Sequence, residues 1–129
     1  MAIDRDDVQA FLEAYGRALL AGDVDAVVDS YGRPGLVVGG DGVVAFTDRG
    51  EVEAAFRDLA ERYRASGLAT AVPAIEAFDP LGDAVAALDV VWNTREADGR
   101  PGPHERFHYL VRRDGDRLAI HVVVPHATS

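Results

Sequence analysis

The sequence predicts an α+β fold, a cone-shaped barrel of N-terminal helices packed on a curved antiparallel sheet. Its first third carries apolar residues at helical spacing, and its second half consists of four long strand-like runs separated by turn residues. Its length, 129 residues, points to a single domain spanning 1–129, because a second core would have too little chain to bury.

The first helix follows from Val8, Phe11, Leu12, Tyr15 and Leu19, which form one stripe at three- and four-residue intervals. Asp4, Asp6 and Asp7 cluster at its start, where carboxylates suit the helix dipole, and Gly22 stops it. Asp23 is placed to cap a short second helix running through Val24, Val27, Val28 and Tyr31, which Arg33-Pro34-Gly35 ends. Leu36–Val38 and Val43–Phe46, joined by Gly39-Gly40-Asp41-Gly42, read as a hairpin. Thr47 or Asp48 caps a third helix with Val52, Phe56, Leu59, Ala60 and Tyr63 on its buried side, and Gly67 closes it. Strands are expected at Leu68–Phe78, Ala84–Arg95, Glu105–Arg113 and Leu118–Val124. A long sheet wrapped around helices leaves a cavity between them, a natural ligand site.

Composition narrows the chemistry. With no cysteine, disulfides, thiolate metal sites and thiol nucleophiles are excluded. The net charge is −9, and all 13 basic residues are arginine, so lysine Schiff-base chemistry and a P-loop are excluded as well. An acidic surface repels nucleic acid and anionic membranes, and the acidic N-terminus is unlike a signal peptide. These features predict a cytoplasmic protein with no nucleic-acid or membrane partner.

The segment Phe11–Tyr31, with its Ala21-Gly22-Asp23-Val24-Asp25-Ala26 turn, resembles the opening of the nuclear transport factor 2-like superfamily. Asp48-Arg49-Gly50-Glu51 opening a helix and the ending Arg112–His121 fit the same layout, so the resemblance covers essentially the whole chain. It implies a cystatin-like α+β cone, a homodimer formed through the sheet, and function of the SnoaL-like or ketosteroid-isomerase-like kind. That range includes isomerases, cyclases, dehydratases and proteins that only bind or scaffold. Against the isomerases, Tyr15 falls at the oxyanion-hole tyrosine, but Gly39 falls at the general base and His108 at the second oxyanion-hole acid. Steroid isomerisation of the familiar kind is therefore not expected.

The last hairpin suggests an alternative acid–base group. If Asp114-Gly115 is a two-residue turn, Arg113 pairs with Asp116 and His108 faces His121. Two imidazoles side by side cannot both be protonated cheaply, so one would be available as acid or base. The resemblance points these positions into the cavity. Periodicity points them outward, because Phe107, Tyr109 and Val111, with Leu118, Ile120, Val122 and Val124, form the more apolar face. Asp89 on the neighbouring strand is placed to orient an inward histidine, or else lies on a solvated or dimer-facing surface, an ambiguity Glu76 shares. Candidate catalytic residues are therefore Tyr15, His108, His121 and Asp89. Candidate ligand-binding residues are Phe11, Phe56, Tyr63, Trp92 and Asn93.

His104-Glu105-Arg106-Phe107-His108 spells H-E-x-x-H, but it runs into a strand, where the two imidazoles would sit about 13 Å apart. No metal site or cofactor is expected. The expected partner is a small hydrophobic or anionic molecule, bound with turnover or held by a non-catalytic binding or dimerisation scaffold.

Overall fold

A computed structural model describes residues 2–126. Three helices, α1 (Arg5–Ala21), α2 (Val24–Asp29) and α3 (Arg49–Ala65), lie against one sheet of six strands. The strands are β1 (Tyr31–Gly39), β2 (Gly42–Phe46), β3 (Leu68–Pro80), β4 (Val85–Glu96), β5 (Pro101–Asp114) and β6 (Arg117–Pro125), in spatial order β2-β1-β6-β5-β4-β3. All neighbours are antiparallel except β1 and β6, which run parallel.

Each helix starts as its sequence dictates. Asp4 accepts from the Asp6 amide, Asp23 from the Ala26 amide at 3.2 Å, and Asp48 from the Glu51 amide at 2.9 Å. Glu51 reaches back to the Thr47 amide at 3.1 Å, completing a reciprocal cap on α3. Gly22, at φ 67°, takes the left-handed turn that ends α1. The second helix is shorter than the stripe predicts. Ser30 caps it, and Tyr31 opens β1 instead.

The core lies between the helices and the inner face of the sheet. Val8, Leu12, Val27, Val52 and Ala60 meet Leu88, Val90, Val111 and Ile120, all fully buried. Gly16 lets α1 approach the sheet. A Cβ there would sit 2.7 Å from Trp92 Cζ3 and 2.9 Å from the Ala71 carbonyl.

The last hairpin departs from the expected register in two ways. Asp114 pairs with Arg117, so the loop residues are Gly115 and Asp116, with the left-handed φ of 65° on Gly115. A bulge then falls at His121, because Val111 faces Ile120 while Leu110 faces Val122. The inserted residue reverses the alternation of β6. Ile120 and Val123 are buried, whereas Val122 and Val124, expected inside, turn to the outer face. His108 therefore faces Val124, and the expected His108–His121 pair does not form.

Candidate functional site

Between α1, α3 and the sheet lies a cavity of about 390 Å³. Tyr15 and Leu19 enter it from α1, and Phe56, Leu59, Arg62 and Tyr63 from α3. Tyr31, Val37, Ala71, Trp92, Phe107, Tyr109, Val123 and Pro125 supply the strand side. The apolar lining follows directly from the α3 stripe and the strand alternation. All four tyrosines of the chain line this one space, and Arg62 adds the one charged side chain among the described lining residues.

These hydroxyls are organised. Tyr15 and Tyr31 share a short hydrogen bond between their hydroxyls, and both rings are buried. Whichever donates, one proton of the pair remains. Trp92 Nε1 donates to the Tyr109 hydroxyl at 2.8 Å, so Tyr109 keeps its own proton to give. Tyr63, nearer the mouth, donates to Glu105 at 3.4 Å. Aromatic packing fixes the rings: Tyr31 stacks on Phe56 at 4.0 Å between centroids, and Tyr15 meets Tyr31 edge-on at 5.7 Å.

Burial is the main cause that pushes all four phenols upward. Tyr63 is raised to about 12, with the Glu105 carboxylate adding to the effect of burial. For Tyr15 the hydrogen bond shared with Tyr31 opposes the rise without cancelling it. All four are therefore neutral hydroxyls near pH 7 and poorly suited to act as bases, and Tyr109 and one member of the Tyr15–Tyr31 pair have a proton left to donate to an acceptor oxygen.

Of the candidate residues, Tyr15, Phe56, Tyr63 and Trp92 line the cavity. Phe11 is half-buried and packs against the core outside it. Asn93 is exposed on β4, out of phase with Trp92. Asp89 and His108 pair across β4 and β5 on the outer face, and His121 sits at the bulge with Nδ1 2.8 Å from the Pro34 carbonyl. The outward alternative that periodicity offered for the histidines is thus the one that applies. Asp89 lies 3.6 Å from Arg106, which holds Glu76 at 2.6 Å, and 3.9 Å from His126. No group of three potential metal ligands occurs among the described residues.

The sequence reading missed Tyr31 and treated Tyr109 as plain core. Tyr31 was hidden by its helical spacing after Val27 and Val28. Tyr109 alternates with Phe107 and Val111, and its hydroxyl on an inner face was the available signal.

The chain belongs to the family described as NTF2-like protein (DUF6841), whose model matches residues 5–128. No curated protein matches it. It is similar in structure to an NTF-2 like protein of unknown function from Shewanella oneidensis MR-1, at 20% identity and a TM-score of 0.70, covering 93% of this chain and 96% of that one. A cystatin-like-fold protein of unknown function from Nostoc punctiforme matches at 11% identity and TM-score 0.75, covering 97% and 93%. A candidate aromatic ring hydroxylase from Novosphingobium aromaticivorans matches at 19% identity and TM-score 0.63, covering 98% and 90%. At these identities the likeness establishes the fold. Among the described residues, no helix is long and apolar enough to cross a membrane.

Proposed function

We propose that this NTF2-like chain binds a small apolar molecule carrying an acceptor oxygen in its cone cavity. The observation that carries the reading is the convergence of four neutral tyrosine hydroxyls in a space of about 390 Å³ whose other lining is apolar apart from Trp92 and the exposed Arg62. Such a lining supplies hydrophobic area for affinity and a few directed donors for orientation. Tyr109, freed to donate by the bond from Trp92, and the spare proton of the Tyr15–Tyr31 pair are the donors a carbonyl or phenolic oxygen would meet. Phe56 and Trp92 supply aromatic walls. Binding without turnover fits better than acid–base catalysis, because among the described residues no carboxylate or imidazole lines the space.

A matched pair of probes tests this reading: 2-acetylnaphthalene and 2-ethylnaphthalene, titrated by calorimetry and by the fluorescence of Trp92, the chain's one tryptophan. The ketone should bind about tenfold or more tightly than the hydrocarbon, since one buried donor left unpaired costs roughly 1–3 kcal/mol. Tyr109→Phe should remove most of that difference. Equal binding of the two probes would overturn oxygen recognition, and binding of neither would overturn the cavity reading for ligands of this size.

The outer face of the sheet supports a second proposal, association of two copies of this chain. Leu110, Val122, Val124 and Val91 are half-buried there, and Val72 is 50% exposed. Around them lie Glu76, Asp89, Arg106 and His126, and one Asp89 oxygen is buried without a hydrogen-bond partner. An apolar patch with a charged group at its centre suits a self-complementary two-fold contact.

A further inference from the structure

A second site lies apart from the cone. We infer that the cleft lined by Arg33, Arg112, Arg117 and His121 binds a phosphate group. It is a hollow of about 190 Å³ at the end of β1, β5 and β6, and among the described residues Asp114 is the one carboxylate lining it. Elsewhere Arg49, Arg57, Arg100 and Arg106 sit on carboxylates, and Arg5, Arg95 and Arg113 each donate singly to a backbone carbonyl. Here the fold gathers three guanidiniums around one hollow, and the nearest ion pair is a loose one, Arg112 Nη1 to Asp114 Oδ2 at 3.8 Å. Three like charges brought together are unfavourable until an anion joins them.

The cleft is also organised. Arg117 Nη2 donates to the Asp29 carbonyl at 2.9 Å, which holds that guanidinium in place. The Pro34 carbonyl can only accept, so His121 Nδ1 at 2.8 Å carries the proton of that bond. The ring is admitted because residue 32 is glycine: a Cβ on Gly32 would fall inside the imidazole. The bulge at His121 places that ring beside the arginines. Planar guanidinium forks match the oxygens of phosphate bidentately. Three cations against one carboxylate leave the cleft a surplus that a dianionic phosphate neutralises and a single carboxylate would not. A net charge of −9 disfavours a phospholipid surface, so the source is a soluble phosphate or phosphate ester. This inference is independent of what the cone holds.

The test is a titration with inorganic phosphate at constant ionic strength, with chloride as control, followed by amide and arginine side-chain NMR signals. Saturable shifts at Gly32, Gly115 and the three guanidiniums are expected. The double variant Arg33→Gln, Arg112→Gln should weaken binding at least tenfold, while Arg57→Gln leaves it unchanged. Asp114→Asn should tighten binding about threefold or more, which a variant damaged in folding would not do. A non-saturating drift equal to that with chloride, or unchanged affinity in the double variant, would overturn the site. Sedimentation with phosphatidic acid vesicles through the same arginines, without saturable phosphate binding, would overturn the soluble source.

Discussion

Replacing Tyr109 by phenylalanine removes one oxygen from the cavity wall and should show how strongly its hydroxyl network is held. Trp92 and Tyr109 are 5% and 2% exposed, and the indole N–H has the Tyr109 hydroxyl as its partner at 2.8 Å. The ring of the substituted residue keeps its stacking on Phe107 and nearly its volume, so little packing is lost. What remains is a buried indole donor without an acceptor, a cost of about 1–3 kcal/mol. Water admitted through the mouth could satisfy the indole and would bring the loss toward the lower figure. For a domain of this length each kcal/mol corresponds to roughly 3–6 °C in the melting midpoint. Urea unfolding of both proteins, monitored by far-ultraviolet circular dichroism, gives the difference directly. Fluorescence of the lone tryptophan reports the indole environment and should shift as its hydrogen bond is lost. A loss under about 0.5 kcal/mol with an unchanged Trp92 spectrum would refute the reasoning, because the indole would then have another partner.

Three further outcomes are expected. All four phenols are raised above their usual value, Tyr63 to about 12, so the unfolded chain releases these protons first as pH rises. Their contribution to stability is complete below about pH 10 and is lost above it, so absorbance at 295 nm should rise together with unfolding. A tyrosine that ionises near pH 10 in the intact fold would contradict this. Gly16→Ala gains up to about 1 kcal/mol of helix propensity but drives a Cβ against the Ala71 carbonyl, which cannot swing aside. Overpacking of about 1–3 kcal/mol should win, and a denaturation midpoint above wild type would show that α1 can lift off the sheet. Leu110→Glu, on the outer face, should abolish self-association in sedimentation equilibrium while leaving the circular dichroism spectrum intact. Unchanged mass would remove that face from the assembly.

Much of the cavity was legible because it rests on regular spacing. Phe56 and Tyr63 stand seven residues apart on the α3 stripe, and Trp92 keeps phase with Leu88 and Val90, so their inward direction follows from periodicity alone. Tyr15 followed from the α1 stripe in the same way. The histidines were different, because their pairing depended on counting from a turn. Moving the loop one residue later shifts every partner by two and the His121 bulge adds one more, so His108 meets Val124. Neither step leaves a mark in the hydropathy pattern, since Val122, Val123 and Val124 are chemically alike. Tyr31 was obscured for a related reason: after Val27 and Val28 its spacing continues a helix, while the hydroxyl bond from Ser30 to the Ala26 carbonyl at 3.0 Å marks where that helix ends.

The irregularities that hide the site also build it. Register shifts occur in β1 after Tyr31, in β3 between Ile75 and Ala77, and in β6 at His121. Each inserts residues on one side of a ladder, which bends and twists the strand, and a sheet must curve to wrap around helices. The same insertions sort the side chains. In β3 the shift leaves Ile75 and Phe78 inside while Glu76 reaches Arg106 outside. In β6 it brings Val123 and Pro125 to the cavity and leaves His121 beside Gly32. A perfectly alternating β6 would keep Val122 and Val124 inward, as the sequence pattern predicts, and would not present Val123 and Pro125 to the cavity. The bulges thus set the inward turn of Val123 and the outward place of Glu76 and His121, while Tyr15, Tyr63, Trp92 and Tyr109 reach the cavity by regular spacing.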